Sequence, residues 1–413
     1  MEVNAIIAEY NPFHKGHAYQ IKSCKNKNAR AFVIALMSTY FCQRGEPACL
    51  SPRARTAMAL SAGADLVLAL PCYASLASAE LFADTGVALL NQTGLVSQLV
   101  FGSETDDLRG LKTVADLIVE EANDLWIFID KKLKEGHAYA RARELYVAQR
   151  LGASYATLLR QPNQILAIEY LKAIKKRSST IKPILIKRLG EDFLSEKLAP
   201  DQAKQASALA IRSNLAKLLE TPQNQLDLDI IKTLTYHIPH QSLAILLKEI
   251  SNHAFMVQEE LAPLYYSILE NTQTAKTRYL NQDLFNRLKS NLTMNRPNYP
   301  SIEELTKAAM TRQYPLTRVK RALTNLLLNI ETVEDFKPAY IHVLGFSRNG
   351  RYLLKKMREK AKLPIITNFS QLKKQISKAD LWQEKLEVRA ARTWLNTAKI
   401  PLNQLFDSPI IMR

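Results

Sequence analysis

Short apolar runs alternate with longer amphipathic segments through the first half of the chain. Five runs are apolar on both faces, which is typical of buried strands in a parallel sheet, and hydrophobic residues recur at helical spacing between them. The runs are Val3–Ala8, Ala31–Met37, Ala64–Leu70, Ser97–Phe101 and Pro183–Arg188. This alternation predicts βαβ units and an α/β fold, in which the loops after the strands gather along one edge of a parallel sheet.

Local signals mark the helices between these strands. Ser51 and Pro52 are an N-cap residue and a first-turn proline, and Gly63 is a typical helix stop, so a helix is predicted between them. Helical spacing also predicts helices over residues 108–121 and 163–176.

The pattern changes after about residue 225, where leucine-rich helical spacing replaces strand-like runs. We therefore predict two domains, residues 1–220 with the parallel sheet and a mostly helical domain over residues 221–413. Residues 338–360, followed by 363–368, form one mixed segment. We expect a strand, a turn and a helix there that return to the sheet or pack beside it.

The charge balance of the chain says more about its partners than its overall composition does. The chain has 56 Lys and Arg against 39 Asp and Glu, a net charge of +17, which favours a polyanionic partner, nucleic acid before an anionic membrane surface. A generally basic background is the alternative. No apolar run is long enough for a membrane helix, and none of the four cysteines forms a C-x-x-C pair, so we expect a cytoplasmic protein with free thiols and no membrane partner.

Two histidines lie at the first strand–loop–helix junction. The strand stops at Asn11 and Pro12, His14 and His17 follow around Gly16, and a helical pattern begins at once. Such junctions bind phosphates in α/β folds, and imidazoles there can donate hydrogen bonds to a polyphosphate as its charge builds. A zinc pair or two ordinary turn histidines are the alternatives.

The stretch HKGH resembles the HxGH signature of the nucleotidyltransferase superfamily, and the longer string over residues 6–21 is similar to the tRNA(Met) cytidine acetate ligase family. Further segments match that family in the expected order, so the resemblance covers nearly the whole chain and is densest over residues 3–213. They are QRGEPA, GADLVLALP, AELFA, FGSE, PNQILAIEYLKAI, ASALAIR and VLGFSRNGR.

The resemblance implies a Rossmann-like nucleotidyltransferase domain followed by a mostly helical, basic domain that binds tRNA. It also implies an ATP-dependent ligase that activates acetate as acetyl-adenylate, acetylates the wobble cytidine of elongator tRNA(Met) and releases AMP and diphosphate. Mg²⁺ is expected with the ATP, and no stable protein partner is implied.

The same resemblance implies the site residues. His14 and His17 would bind the α- and β-phosphates and stabilise the transition state. The nucleotide-binding set is Ile7, Ala8, Glu9, Tyr10, Asn11, Pro12, Phe13, His14, Lys15, Gly16, His17, Ala18, Tyr19 and Gln20, with Gly102, Asn163, Arg188, Ser207 and Arg212.

Roles for the distant members follow from their chemistry. Gly102 would admit the adenosine, Asn163 would contact the adenine edge or ribose, and Ser207 would donate its hydroxyl from a helix start. Arg188 and Arg212 would hold the triphosphate bidentately. The alternatives are that Asn163 and Ser207 are N-caps and that both arginines are solvated surface residues.

Three features leave questions open. No carboxylate cage for Mg²⁺ is visible, and Glu9 and Asp65 are only candidates. The family usually has Gly-Asn where this chain has Thr39 and Tyr40, which we expect to alter the substrate pocket beside the ATP site. It has threonine where this chain has Leu209, which removes one hydroxyl from the phosphate cradle.

Two basic clusters in the second half are expected to contact tRNA phosphates, although a solvated basic face is the alternative for each. The first cluster is Arg312, Arg318, Lys320 and Arg321 with Tyr314 interleaved, and the second is Arg348, Arg351, Lys355, Lys356 and Arg358.

Two other functions remain open. A nucleotidyltransferase for a small phosphorylated metabolite would explain the histidine loop but not the charge. A non-catalytic RNA-binding protein that kept the fold would tolerate loss of both histidines.

Overall fold

A computed structural model describes residues 1–26, 28–188, 207–220, 228–272, 276–293 and 299–412. The predicted boundary between the two domains adjoins residues 221–227, which lie outside this described part, so the division into 1–220 and 221–413 stays a prediction.

The strands form one sheet, in the order β5-β4-β1-β2-β3-β6-β7, with β8 paired to β6. The first five are parallel, and β6 is antiparallel to β3. The strands are β1 Val3–Ala8, β2 Phe32–Ser38, β3 Leu66–Leu70, β4 Gln98–Ser103, β5 Lys182–Lys187, β6 Ile341–Phe346, β7 Ile365–Ile366 and β8 Ile410–Ile411. The predicted parallel sheet is confirmed, because all five predicted runs became its parallel strands.

Helices connect the parallel strands. In the first half they are α1 Lys15–Asn26, α2 Pro52–Ser61, α3 Cys72–Ser75, α4 Ala79–Gln92, α5 Leu108–Glu120, α6 Ala122–Lys134, α7 Tyr139–Leu151, α8 Ala153–Thr157 and α9 Pro162–Lys176. In the second half they are α10 Ala208–Glu220, α11 Leu228–His237, α12 His240–Ser251, α13 Ala262–Asn271, α14 Gln282–Thr293, α15 Ile302–Ala308, α16 Leu316–Leu327, α17 Arg348–Lys360 and α18 Leu381–Thr397.

The predicted start of α2 is confirmed in detail. The Ser51 hydroxyl accepts a hydrogen bond from the Ala54 amide, and Pro52 occupies the first turn, where its missing N–H costs nothing. In contrast, α6 was not predicted. Its Trp126 and Ile127 are 63% and 68% exposed, so the apolar positions of this helix do not mark a buried face.

Three cores place the helices around the sheet. One sheet face packs against α4, α5 and α9, and the other packs against α1, α2 and α10–α12. The third core joins α13–α16 and α18 to Tyr40, Phe41 and Tyr73, which follow β2 and β3. Helices α13–α16 and α18 of the second half therefore pack against the carboxyl edge of the sheet.

The mixed segment returns to the sheet, which is one of the two arrangements predicted for it. It supplies β6, α17 and β7, and β6 joins the sheet beside β3. No helix within the described ranges is long and apolar enough to cross a membrane. All four cysteines are buried free thiols, as expected.

Candidate functional site

A cavity of about 450 Å³ opens at the carboxyl ends of the parallel strands. It lies where β1, β2, β4 and β5 end, which is the edge that binds ligands in parallel α/β sheets. Most of the predicted nucleotide-binding residues line it: Ile7, Ala8, Glu9, Tyr10, Asn11, Gly16, Tyr19, Gln20, His14, His17, Gly102, Asn163, Arg188 and Arg212. Residues from five separate segments are thus brought together around one space.

Five residues of the predicted set do not line this cavity. The Ser207 hydroxyl accepts a hydrogen bond from the Ala210 amide at the start of α10, which is the N-cap alternative stated above. Phe13 is fully buried and packs edge-on against Tyr10, beneath the loop. The others outside the lining are Pro12, Lys15 and Ala18.

The two histidine rings stack on each other at the start of α1. Their centroids are 3.7 Å apart and their planes are 25° from parallel. The His14 amide donates to Nδ1 of His17 at 3.2 Å, and the Gly16 amide donates to Nδ1 of His14 at 3.1 Å. Because both Nδ1 atoms accept, each neutral ring carries its proton on Nε2, where it is a donor for a ligand.

Both imidazoles are neutral in the free protein. Burial, followed by the charges of Arg188 and His237, lowers the pKa of His14 to about 3. Burial, His14 and Arg188 hold the pKa of His17 well below its ordinary value. The stacked pair therefore offers two N–H donors without the mutual repulsion of two cations.

The side of the cavity next to β4 and β5 is built around a glycine. A Cβ at Gly102 would lie 3.2 Å from Cγ of Arg188, so a larger residue would push this arginine side chain aside. Asn163, in the first turn of α9, donates from Nδ2 to Oε1 of Glu104 at 2.6 Å. That bond fixes the amide at the cavity wall, with its oxygen available to a ligand.

Arg212 is held by the protein on two sides. Its Nη1 donates to the Asn11 carbonyl at 2.7 Å, and its Nη2 lies 3.3 Å from Oε2 of Glu46. Glu46 also pairs with Lys320 of α16 at 2.7 Å. The guanidinium thus links the histidine loop to the loop after β2 and to the second half of the chain.

Helix α16 contributes residues to the cavity wall, and this contact is not predicted by the sequence. Gly45 has a φ of +81°, and a Cβ there would overlap the backbone at Arg321. The Gly45 carbonyl accepts from the Thr324 hydroxyl at 2.7 Å, and Arg321 donates to the Gln43 carbonyl at 3.3 Å. This close approach brings Thr317 and Arg321 into the cavity wall. Nothing local marks the contact, because some 275 residues separate the two elements.

Glu9 presents a carboxylate to the cavity at the end of β1. Its Oε1 accepts from the Gln43 amide at 2.6 Å. Burial raises its pKa, although the Gln43 amide, Arg212 and Arg44 oppose that rise. The hydroxyl of Tyr170, on α9, also faces this cavity and has no hydrogen-bond partner among the described residues.

The structure corrects one of the two metal candidates. Asp65 accepts from the Val33 amide at 2.8 Å and pairs with Lys25 at 3.0 Å, at the amino end of β3. It therefore lies on the sheet edge opposite the cavity. Glu9 is in the cavity, but the described part of the chain holds no group of three His, Cys, Asp or Glu residues placed to bind a metal ion.

The two departures from the family pattern have different positions. Leu209 lines the cavity, as expected for a residue of the phosphate-binding segment. Thr39 and Tyr40 do not line it, which corrects the expectation that they alter the pocket beside the ATP site. They line a smaller cavity beside α18 that also contains Glu387.

The first basic cluster is not a free surface. Tyr314 is 2% exposed and shares hydrogen bonds with Asn281, so it offers no ring for stacking. Lys320 is paired with Glu46, and Arg321 faces the cavity. Lys320 and Tyr314 are therefore not free for a tRNA contact, and the contact of Arg312, Arg318 and Arg321 with tRNA phosphates stays a prediction.

The second basic cluster is exposed but distant from the cavity. Because β6 is antiparallel to β3, its last residue, Phe346, pairs with Leu66 at the start of β3. Helix α17 therefore begins at the amino edge of the parallel strands, and its end meets Gln92 at the end of α4. The cluster and the cavity lie at opposite edges of the sheet.

Comparisons with other proteins agree with this geometry. Residues 1–404 match the family described as HIGH Nucleotidyl Transferase. A protein of Acetivibrio thermocellus named tRNA(Met) cytidine acetate ligase is 33% identical over 97% of this chain and 96% of its own length. One of the same name from Halothermothrix orenii is 35% identical over 92% and 90%.

Two crystal structures from Thermotoga maritima match over the full length of both chains at 28% identity. One is described as TmcAL in the apo form, with a TM-score of 0.90, and the other as TmcAL bound with alpha-thio ATP, with a TM-score of 0.86. The fold is thus shared with a protein that was crystallised with alpha-thio ATP.

Proposed function

This chain belongs to the HIGH nucleotidyl transferase family and, within it, to the tRNA(Met) cytidine acetate ligases, and on that premise we propose how its cavity works. The protein is an ATP-dependent ligase that acetylates a cytidine of tRNA(Met). One observation supports the role of the cavity most directly. The stacked, neutral pair His14 and His17 lies at a strand–loop–helix junction inside a cavity large enough for a nucleotide.

The first half-reaction is the activation of acetate. A carboxylate oxygen of acetate attacks the α-phosphorus of ATP, and the bond to the bridging oxygen breaks as diphosphate leaves. Nε2–H groups of His14 and His17 donate to the phosphate oxygens, whose charge builds in this transition state. Arg188 lies beside Gly102 and adds positive charge at the β5 end of the cavity.

The second half-reaction transfers the acetyl group to the exocyclic amine of the wobble cytidine in elongator tRNA(Met). Acetyl-adenylate is already reactive, so positioning accounts for most of the rate. The products are N4-acetylcytidine and AMP. A net charge of +17 is consistent with a tRNA partner, which requires many phosphate contacts.

Mg²⁺ would assist by neutralising the phosphates of ATP. Within the described residues the fit to a protein-held ion is poor, since Glu46 is already paired with Arg212 and Lys320. The phosphates themselves, rather than a protein cage, would hold the ion. We therefore assign no step to a metal bound by this chain.

The test follows labelled acetate into RNA. Purified protein is incubated with ATP, labelled acetate and either elongator tRNA(Met) or the same tRNA with uridine at the wobble position. We expect label only in the cytidine-containing tRNA, and N4-acetylcytidine after digestion to nucleosides. Label in neither tRNA, or equal label in both, would contradict the proposal.

A small-molecule nucleotidyltransferase is the second candidate, because the histidine loop alone would serve it equally well. Diphosphate release that depends on a phosphorylated metabolite and not on acetate would favour it. The full-length relatives and the basic charge both speak against this candidate.

A further inference from the structure

The cavity has two sides that the strand order separates. Gly102 and Arg188 follow β4 and β5, whereas Gln43 follows β2 on the other side of β1. Glu9 ends β1, and its carboxylate is held by the amide of Gln43. This carboxylate is therefore turned toward the β2 side, away from Gly102 and Arg188.

A carboxylate that faces a cavity requires a hydrogen-bond donor from the ligand. Acetate and the triphosphate of ATP bring only acceptors, and their negative charge is repelled by Glu9. Adenosine has donors, but Gly102 and Asn163 form its expected contacts on the opposite side. The remaining reactant is the acceptor nucleotide, whose exocyclic amine is a donor that carboxylates commonly bind.

We propose that Glu9 binds the exocyclic amine of the acceptor cytidine and takes its proton during acetyl transfer. This inference rests on the proposed function and adds to it the residue that recognises and deprotonates the acceptor. Among the described residues that line the cavity, the other carboxylate is Glu46, which is held by Arg212 and Lys320.

Tyr170 provides independent support for a polar ligand beside Glu9. Its ring is 2% exposed, and its hydroxyl has no hydrogen-bond partner among the described residues although it is enclosed. Glu9 and Tyr170 line the same cavity, and burial, followed by the charge of Glu9, raises the pKa of this hydroxyl. A buried hydroxyl without a partner is costly, so a polar ligand at this point would satisfy it.

Acetyl transfer forms one bond and breaks another at the carbonyl carbon of acetyl-adenylate. The amine nitrogen attacks the carbonyl carbon of acetyl-adenylate and forms a C–N bond. One amine proton moves to the free oxygen of Glu9. The bond from that carbon to the phosphate oxygen then breaks, and AMP leaves with the electron pair. Glu9 returns the proton to solvent after the product dissociates.

The surroundings of Glu9 suit a proton acceptor. Burial raises its pKa, so the carboxylate is a stronger base than one in water. The Gln43 amide, Arg212 and Arg44 oppose that rise in pKa and favour the ionised carboxylate. The charged and titratable groups that face it are Arg44, Glu46 and Cys42 of the loop after β2, Arg55 of α2, Tyr170 of α9 and Arg212 of α10.

The experiment separates the two half-reactions in the full-length protein. Glu9→Gln preserves the bond to Gln43 but cannot take a proton. We measure acetate-dependent exchange of labelled diphosphate into ATP, and single-turnover transfer from preformed acetyl-adenylate to tRNA(Met). Glu104→Gln is the matched control, because Glu104 holds Asn163 on the opposite side of the cavity.

For Glu9→Gln we expect transfer to fall at least about 100-fold and exchange to fall less than about tenfold. In Glu104→Gln the side-chain oxygen can still accept from Asn163, so transfer should fall less than in Glu9→Gln. The wild-type transfer rate should rise with pH, and this dependence should disappear in Glu9→Gln. Equal losses in both half-reactions, or an unchanged transfer rate, would overturn the assignment.

A binding measurement tests recognition without catalysis. Wild-type protein should bind tRNA(Met) with cytidine at the wobble position more tightly than the uridine form, because the uridine O4 is repelled by a carboxylate. In Glu9→Gln the amide can donate to that O4, so the preference should shrink by about tenfold or more. An unchanged preference would overturn the role of Glu9 in recognition. A wild-type protein without acetate-dependent exchange or transfer would instead overturn the proposed function and, with it, this inference.

Discussion

At the scale of single residues, the account depends on two imidazoles that bind phosphate as neutral donors. Backbone amides occupy both Nδ1 atoms, and burial disfavours the protonated rings. Neutral N–H donors placed beforehand need no reorganisation when the α-phosphate becomes pentacoordinate. The loop therefore works by geometry, and a proton transfer from His14 or His17 is not needed.

This leads to a prediction about titration. Ring carbon–proton NMR signals of His14 and His17 in the free protein should keep neutral shifts from pH 8 down to pH 5, since the pKa of His14 is lowered to about 3 and that of His17 is also well below normal. A midpoint near 6.5 for either loop histidine would contradict the account.

The same shifts have a consequence for stability. Between pH 6.5 and pH 3 the unfolded chain protonates His14 while the folded chain does not, so the unfolded state binds more protons and stability falls as pH falls. The loss is about 1.4 kcal/mol per pH unit for one such histidine. Urea unfolding from pH 7 to pH 5 should show this slope in the wild type, and His14→Asn should reduce it. An equal slope in both proteins would contradict the shift.

The residues of the site that could be predicted from sequence belong to local motifs. His14, Gly102 and Asn163 each follow or begin a recognisable element, and the sheet topology brings those elements together. Arg321 and Thr317 could not be predicted in this way. Their position depends on the packing of α16 against the loop after β2, and long-range packing of this kind has no local signature.

At the scale of elements, the contact between Gly45 and α16 connects the helical half to the cavity. Gly45→Ala should destabilise the protein and impair activity, because the left-handed φ of +81° strains alanine and its Cβ would overlap the backbone at Arg321. Gly136→Ala is the control. Gly136 has a φ of +85° but no neighbour within 4 Å of the added Cβ.

Urea unfolding and the acetylation rate check this prediction. The control should lose about 1–2 kcal/mol from backbone strain alone and keep its activity. Gly45→Ala should lose distinctly more stability and at least about tenfold in rate, since Arg321 and Thr317 would be displaced. Equal losses of stability and of rate in the two variants would contradict this prediction, because α16 would then adapt to the added Cβ without cost.

A second prediction at this scale concerns the contact between α18 and α3. Glu387 accepts from the Cys72 amide at 2.6 Å, and burial raises its pKa to about 7. Between pH 4.5 and pH 7 the folded state binds more protons at this site, so its contribution to stability falls as pH rises. Urea unfolding gives the free energy of unfolding of Glu387→Gln and of the wild type. The difference, variant minus wild type, should therefore be more positive at pH 8 than at pH 5. A relative loss at pH 8 would contradict the raised pKa.

The elements themselves were predictable where burial is complete. Strands β1 to β4 were found because both of their faces are apolar and mostly buried, and β5 was found from its apolar run although its residues are only partly buried. Helix α6 was missed because Trp126 and Ile127 are exposed. The antiparallel pairing of β6 with β3 could not be predicted from the hydrophobic pattern of the sequence either. A strand that returns after a long helical segment can join an edge in either direction.

At the scale of the whole molecule, only part of the excess positive charge lies near the site. Helix α17 has an exposed basic face, but it lies at the sheet edge opposite the cavity. An anticodon stem-loop that delivers its cytidine to the cavity approaches the carboxyl edge, whereas α17 begins at the amino edge. The role of α17 in binding full-length tRNA stays a prediction.

This separation can be tested by charge reversal. Lys355→Glu with Arg358→Glu should change the KM for an isolated anticodon stem-loop by no more than about twofold, because neither residue lies near the cavity. Arg321→Glu, which alters the cavity wall, should raise it at least about tenfold. A large effect of the α17 pair on the stem-loop would place the RNA on the opposite edge and contradict the geometry.

The central claim is that the histidine loop activates acetate on ATP. The most direct measurement is acetate-dependent exchange of labelled diphosphate into ATP, without tRNA or with bulk tRNA, for wild type, His14→Ala and His17→Ala. We predict exchange in the wild type that requires acetate, and a loss of about 100- to 1,000-fold in each variant. Exchange that is independent of acetate, or that survives removal of either histidine, would contradict the account.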